Sequence, residues 1–254
     1  MTRIGIIGTG HIAAPLARCL ARAGHRVTVS ERNHQTAAAA VNAGLGITAA
    51  PNQTVLDSSD IVFLCLRPSV WQAVVKDLVW RPDHCIVSVM AGVSLGDLSR
   101  LCAPVINLSI TIPYGFIENG GCPLPVAGDP SVLTDLFGAD NPILPQKDEA
   151  ALIDYFAASS LASGVLHMLE ESSAWLADKT GDADAAEIYV ANLISGVLRE
   201  LPKDRAGGLE AERRALATPG TLNLQMFEGL RADGAFDGLP NLLDRIGQSM
   251  RTKP

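Results

Sequence analysis

Over its first 144 residues the chain alternates between short apolar runs and stretches with helical spacing. Ile4, Ile6 and Ile7 open the series, and similar runs follow around Val27, Ile61, Ile86 and Val105. Runs of this length, bounded by turn residues, predict strands buried on both faces, here at 3–7, 26–30, 60–66, 85–90 and 105–110. Between them the spacing predicts helices at 11–23, 34–43, 69–79 and 95–101. Strand and helix in alternation imply a doubly wound parallel sheet covered on both faces. A less regular segment rich in proline and glycine follows at 113–130. Beyond about residue 147 the pattern changes. One long helix is expected over 148–179, ended by Thr180-Gly181, and a second over 183–200, stopping before Pro202. Three shorter helices are expected at 210–217, 222–231 and 239–250, and nothing in this half alternates like a strand. The predicted organisation is an α/β domain at 1–146 and an all-helical domain at 147–254. Apolar helical stretches with little charge, such as Leu161–Leu169, need a partner surface, so a homodimer through the helical domain is expected.

Composition narrows the class. The chain has 254 residues, 48% hydrophobic and 19% charged, which suits a globular protein. A net charge of −7, with no basic run interleaved with aromatics, argues against a nucleic-acid partner. The five cysteines are scattered, odd in number and never in C-x-x-C spacing, so they read as reduced thiols rather than disulfides or a zinc site. The five histidines are equally dispersed, and no metal is expected. No apolar run reaches membrane-spanning length and the chain opens directly on a strand, so neither membrane partner nor leader is expected, and the expected compartment is the cytoplasm.

The chemistry begins at the N-terminus. Gly8, Gly10 and Ala13 fall in the G-x-G-x-x-G/A spacing between the first strand and the first helix, the parts of a dinucleotide-binding crossover. Gly8 allows the tight turn, Gly10 admits a pyrophosphate to the backbone, and Ala13 lets helix and strand pack closely. Thr9, His11 and Ile12 complete the loop, whose backbone matters more than its side chains. The helix start then offers N–H groups and a positive dipole end to the phosphates. Strand two runs into Ser30-Glu31-Arg32-Asn33. Glu31 stands where an acid would hold the ribose of NAD, whereas Arg32, flanked by the donors Ser30 and Asn33, suits the 2′-phosphate of NADP. NADP is the favoured cofactor, and the alternative for Arg32 is a solvated loop arginine.

Several segments taken in order resemble the pyrroline-5-carboxylate reductase family. These are Gly8-Thr9-Gly10-His11-Ile12-Ala13, Ser30-Glu31-Arg32-Asn33, the strand and loop ending in Arg67-Pro68, Ser88-Val89-Met90-Ala91-Gly92, the helix from Asp148-Glu149, and Thr218-Pro219-Gly220. The resemblance implies a Rossmann domain followed by a helical dimerisation domain, and NAD(P)H-dependent reduction of a small cyclic imine or imino acid. It places the nicotinamide over Cys65, Leu66, Arg67 and Pro68 and over Ala91 and Gly92. It places the substrate carboxylate at the loop around 218–223. The cofactor half matches well, while the substrate half departs. The family's Pro-Asn-Thr-Pro-Ala reads Ile110-Thr111-Ile112-Pro113-Tyr114, its Ser-Gly-Ser-Gly-Pro-Ala reads Ser159-Ser160-Leu161-Ala162-Ser163-Gly164, and its Ser-Pro-Gly-Gly-Thr-Thr reads Thr218-Pro219-Gly220-Thr221-Leu222-Asn223.

Hydride transfer to a C=N bond needs proximity and exclusion of water more than a strong acid, so the lack of a Ser-His-Asp set or paired carboxylates is no obstacle. Thr218, Gly220 and Thr221 stand just before a helix and Asn223 on its first turn, forming a candidate anion pocket, or simply an N-cap. Thr111, Pro113 and Tyr114 follow the fifth strand, on the side where ligands bind in such sheets. Thr111, Tyr114 and Thr221 are the candidate catalytic residues, with Tyr114 as proton donor or as turn packing. Cys65 reads as packing, with no base to make it a nucleophile. His167 reads as a core or interface residue. Two rival functions stand beside imine reduction: another NADP-dependent oxidoreductase on the same frame, and a non-catalytic NADP-binding sensor.

Overall fold

The computed structural model describes residues 1–8, 10–31, 41, 44–202 and 206–252. Eight strands form one sheet in the order β3-β2-β1-β4-β5-β6-β7-β8. They are β1 (Arg3–Ile7), β2 (Arg26–Ser30), β3 (Thr48–Ala50), β4 (Ile61–Leu64), β5 (Cys85–Ser88), β6 (Asn107–Thr111), β7 (Leu124–Gly128) and β8 (Ile143–Pro145). All neighbours run parallel except β6 and β7, which are antiparallel. The reversal in strand order at β1–β4 is the switch point where such sheets open a crevice.

Helices α1 (Ala13–Arg22), α2 (Asn52–Asp57), α3 (Trp71–Val75), α4 (Leu95–Leu101) and α5 (Ser131–Phe137) accompany the strands. Successive strand residues feed two separate cores. Ile4, Ile6, Phe63 and Val87 pack with Leu16 and Leu20 of α1, whereas Ile7, Val62, Leu64 and Ile86 pack with Leu56, Trp71 and Leu98. This two-sided burial explains why the central strands read as continuous apolar runs.

The remaining helices are α6 (Glu149–Ser159), α7 (Leu161–Thr180), α8 (Ala183–Glu200), α9 (Gly208–Leu216), α10 (Leu222–Ala232) and α11 (Leu239–Arg251). The single long helix expected over 148–179 is two helices broken at Ser160, whose hydroxyl turns back to the Ala157 carbonyl at 2.7 Å. Gly181, at φ +76°, closes α7, and Asp182 caps α8 by accepting from the Ala185 N–H.

The chain divides into two compact units, 1–156 with 250–254, and 157–249. The boundary expected at 146/147 lies about ten residues too early. Leu152 is part of the sheet's second core, Phe156 packs against it, and Glu149 accepts from the Leu95 N–H. Those contacts bind most of α6 to the sheet. One further expectation is corrected. Glu149–Thr180 contains an 18-residue window of mean hydropathy 1.3, long and apolar enough to cross a membrane by length and composition. The apolar residues there are spaced along helices rather than run together, which hid the window from a search for unbroken apolar runs.

Candidate active site

The parallel register lines up the ends of four strands. Ile7 pairs with Leu64, Leu64 with Ser88, and Ser88 with Ile110. The residues that follow, Gly8, Cys65, Val89 and Thr111, therefore stand side by side along the carboxyl edge of the sheet. Gly10, Cys65–Pro68, Ala91–Gly92 and Thr111–Tyr114 all belong to this edge. Sequence reading found them separately, and the register brings them into one row.

Gly8 is the tightest point. It sits at φ +100°, and a Cβ there would stand 2.4 Å from the Cys65 carbonyl oxygen. Only glycine fits that approach. Its N–H donates to Ser30 Oγ at 2.8 Å. Gly10 is different: a Cβ would meet nothing nearer than 3.9 Å, so the space above its backbone is open. Ala13 is buried and its N–H bonds the Gly10 carbonyl. Helix α1 starts with no side-chain cap and no acid in its first turn. Its positive dipole end is thus open to an anion, while the Ala13 N–H is held by Gly10 and Pro15 has no N–H to offer. These features fit a dinucleotide pyrophosphate. His11 is exposed and Ile12 is the N-cap position.

The structure changes the role of Ser30. It was expected among the donors to a 2′-phosphate, yet it is 1% exposed and turned toward the Gly8 N–H. Its hydroxyl holds the glycine turn against β2 instead. Thr9, Arg32 and Asn33 lie outside the described residues. Glu31 is exposed, and its N–H bonds the Ala50 carbonyl at the end of β3. Asn52, two residues further on, therefore stands beside the same strand ends. Nothing in the sequence marked it, because β3 is too short to show a pattern.

Beyond β4, the Cys65 thiol is pushed up to about 12 by burial, so it stays protonated and is no nucleophile. Leu66 lies against Gly8, while Arg67 and Pro68 are exposed. Beyond β5, Ala91 and Gly92 are exposed, and Gly92 takes φ +77°. A cleft of about 220 Å³ opens beside Gly92, lined also by Val93, Asp97, Ile110, Glu149 and Phe156. At the end of β6, Thr111 is 1% exposed and its hydroxyl has no hydrogen-bond partner. Its burial makes it a supporting group under the edge rather than an open contact. Pro113 is buried and Tyr114 half-buried, its ring stacked on Phe116 with centroids 5.7 Å apart.

Within the helical unit, Thr221 caps α10. Its hydroxyl oxygen accepts from the Leu224 N–H at 3.2 Å, and the hydroxyl donates within the turn, 2.8 Å from the Thr218 carbonyl. The plain N-cap alternative thus accounts for the Thr221 side chain. Thr218, Gly220 and Asn223 are exposed, with Gly220 at φ +84°. His167 is exposed rather than buried, and Glu170 holds its pKa above the ordinary histidine value through a hydrogen bond. No metal-ligating cluster occurs among the described residues.

One side chain next to this edge had no signal in the sequence. Glu118 follows Tyr114 closely and binds Arg18 and Arg22 of α1. Its sequence separation of about a hundred residues from both arginines left no local signal.

Residues 3–92 match the family model described as NADP oxidoreductase coenzyme F420-dependent. Pyrroline-5-carboxylate reductase 3 of Macaca fascicularis is 32% identical over 117 residues, covering 44% of this chain. The chain matches 42% of that relative's length. In fold, the chain is similar to 1-pyrroline-5-carboxylate reductase of Streptococcus pyogenes, with TM-score 0.83 and 19% identity over 99% of each chain. It is also similar to Plasmodium falciparum pyrroline carboxylate reductase solved with NADP bound, with TM-score 0.80, 13% identity, and coverage of 98% of this chain and 97% of that one.

Proposed function

We propose that this chain, a divergent relative of the pyrroline-5-carboxylate reductases, is an NADPH-dependent reductase of a small cyclic imine or imino acid. The observation that carries the reading is the glycine turn at the sheet edge. Gly8 is held against the Cys65 carbonyl, Gly10 is left open, and α1 is left uncapped, all beside the ends of β4, β5 and β6. That edge suits a dinucleotide laid from α1 toward Ala91–Gly92.

When bound, the reduced nicotinamide supplies a hydride for the imine carbon. The chain's own residues do the rest. The backbone of Gly8–Ala13 would take the pyrophosphate, and Arg32 with Asn33 the 2′-phosphate. Cys65–Pro68 and Ala91–Gly92 would support the nicotinamide face. Tyr114 would give a proton to the product nitrogen, with Thr111 and Pro113 shaping the floor beneath it. The exposed N–H groups of the 218–223 turn would hold a substrate carboxylate, with Thr221 shaping that turn rather than reacting. No strong general acid is needed, because a protonated cyclic iminium already attracts hydride.

The helical unit would complete a homodimer. Helix α7 has 20 residues and none is buried. Leu166, Trp175, Ile188 and Tyr189 are each at least 60% exposed, and a groove of about 670 Å³ runs past Leu166, His167 and Glu187. A second copy of the same apolar surface would cover this face. Such a dimer of reduced-thiol chains suits the cytoplasm.

The test is NADPH oxidation with pyrroline-5-carboxylate and a panel of other cyclic imines, with NADH in parallel. Turnover of one imine is the expected result. Tight NADPH binding without turnover of any imine would overturn the reductase reading and favour a binding protein, which the buried Thr111 hydroxyl and the capping use of Thr221 would then explain.

A further inference from the structure

After β6 the chain passes through Pro113-Tyr114 into a 3-10 turn at Gly115–Asn119, and this whole segment lies along α1. The attachment has several parts. A Cβ on Gly115 would stand 3.8 Å from Pro15 in the first turn of α1, so backbone and helix are in close contact there. Ile117 is 1% exposed and shares a core with Leu16 and Leu20, and its carbonyl accepts from the Cys19 thiol. Glu118 then closes the contact. Arg18 grips its carboxylate with two hydrogen bonds, at 2.9 and 2.6 Å, and Arg22 adds a third at 2.9 Å. The side chain of Glu118 is only 16% exposed and that of Arg18 30%. Paired charges in such a partly dry setting hold geometry better than a surface pair would. Arg18 keeps the Glu118 carboxyl below the usual carboxylate range, so the clamp is ionised at neutral pH.

The position of this clamp matters more than its strength. Helix α1 carries the glycine turn at one end and the two arginines farther along. The 3-10 turn begins directly after Tyr114 and carries Glu118, with only three residues between the two. The cofactor loop and the Tyr114 segment are thus fixed to the same rigid rod. The glycine turn has its own supports, in Ser30 and the β1–β4 pairing, and does not need Glu118. The Tyr114 segment follows a strand end and is flanked on its far side by Gly120 and Gly121, both at positive φ. Its attachment to α1 combines the buried Ile117 with the Glu118 clamp, and the clamp is the charged part of it.

We propose that Glu118 is a positioning residue for turnover, clamping Arg18 and Arg22 so that Tyr114 is held in register with the cofactor loop. This rests on the imine-reductase reading given above. The variant Glu118→Gln keeps the size of the side chain and removes its charge. Its kcat with the imine turned over by the wild type falls by about tenfold or more, while its Kd for NADPH stays within about threefold. A general loss of structure would weaken both together. Amide hydrogen exchange across 114–121 speeds up by about tenfold, and the amides of β1 and β4 keep their protection. Arg22→Gln removes one of the three hydrogen bonds and shifts both readouts in the same direction by less, which keeps the test usable if Glu118→Gln folds poorly.

Unchanged exchange over 114–121 overturns the proposal, because the clamp then holds nothing. Faster exchange with wild-type kcat also overturns it, because the clamp is then a structural tie alone. A wild-type protein with no imine turnover overturns the parent reading and the turnover role of Glu118 with it. An active wild type beside an equally active Glu118→Gln overturns only the positioning role.

Discussion

Alanine substitutions at Gly8 and Gly10 separate folding from cofactor binding at two positions two residues apart. At Gly8 the backbone takes φ +100° and an added Cβ would lie 2.4 Å from the Cys65 carbonyl oxygen. A left-handed conformation costs an L residue about 1–2 kcal/mol. The overlap would also push β4 away where the Cys65 N–H bonds the Ile7 carbonyl at 2.8 Å. Loss of that hydrogen bond adds about 1 kcal/mol. Gly8→Ala should therefore destabilise the sheet-containing unit by about 2–3 kcal/mol. At Gly10 the nearest atom is 3.9 Å away, an ordinary contact. Gly10→Ala should leave stability within about 1 kcal/mol of wild type. Its methyl group would stand where a pyrophosphate approaches, so NADPH binding should weaken by about tenfold or more, equivalent to about 1.4 kcal/mol. Urea unfolding without cofactor and calorimetric titration of NADPH supply the two readouts. Wild-type stability in Gly8→Ala would refute the close approach to Cys65. Wild-type NADPH affinity in Gly10→Ala would refute the phosphate site itself.

Four further outcomes are expected. Arg32→Ala should weaken NADPH binding by about 10- to 100-fold and NADH far less, as befits a lost charge-assisted contact to a 2′-phosphate; equal losses in parallel titrations would remove that assignment. Thr111→Val deletes a buried hydroxyl that has no partner, so thermal stability should hold or rise by about 1 kcal/mol, and a clear fall in the melting temperature would reveal a hidden hydrogen bond. His84 is buried, and burial first and Arg81 second keep its pKa below the ordinary value; the unfolded chain therefore binds the proton that the folded chain refuses, and stability should drop as pH falls below about 6.5, with a shallower slope in His84→Gln across pH 7 to 5. Leu166→Arg on the exposed face of α7 should convert the expected dimer to monomer in sedimentation velocity, and an unchanged sedimentation coefficient would place the subunit contact elsewhere.

Legibility varied with element length and with burial. The strands β1 and β2, and helices α4 and α8, have the boundaries that periodicity and turn residues predict. Strands β3 and β8 span three residues each and bury none, so no apolar run shows, while α2, β7 and α5, as long as elements that were read, lie among the prolines and glycines Pro51, Pro123, Gly128, Pro130 and Gly138. Strand β7 was further disguised by Pro125, which removes a ladder donor and reads as a loop residue. In the site, the glycine turn was legible because a tight crossover demands particular residues at fixed spacing. The roles of Ser30 and Thr221 were not, because both are small hydroxyls that serve a ligand or the backbone equally well. Ser30 is turned to the Gly8 N–H, and Thr221 to its own helix start.

The sequence by itself determined the mostly parallel sheet followed by a helical region and the place of the glycine turn. Each of these rests on local rules: apolar period, turn chemistry and the steric freedom of glycine act over a few neighbouring residues. The tertiary structure alone decided which residues share the site edge, through the register that sets Gly8, Cys65, Val89 and Thr111 in a row. It alone joined Glu118 to Arg18 and Arg22. Contacts of this kind depend on how distant segments are brought together, and that information is spread over the whole chain rather than held in any one stretch of it.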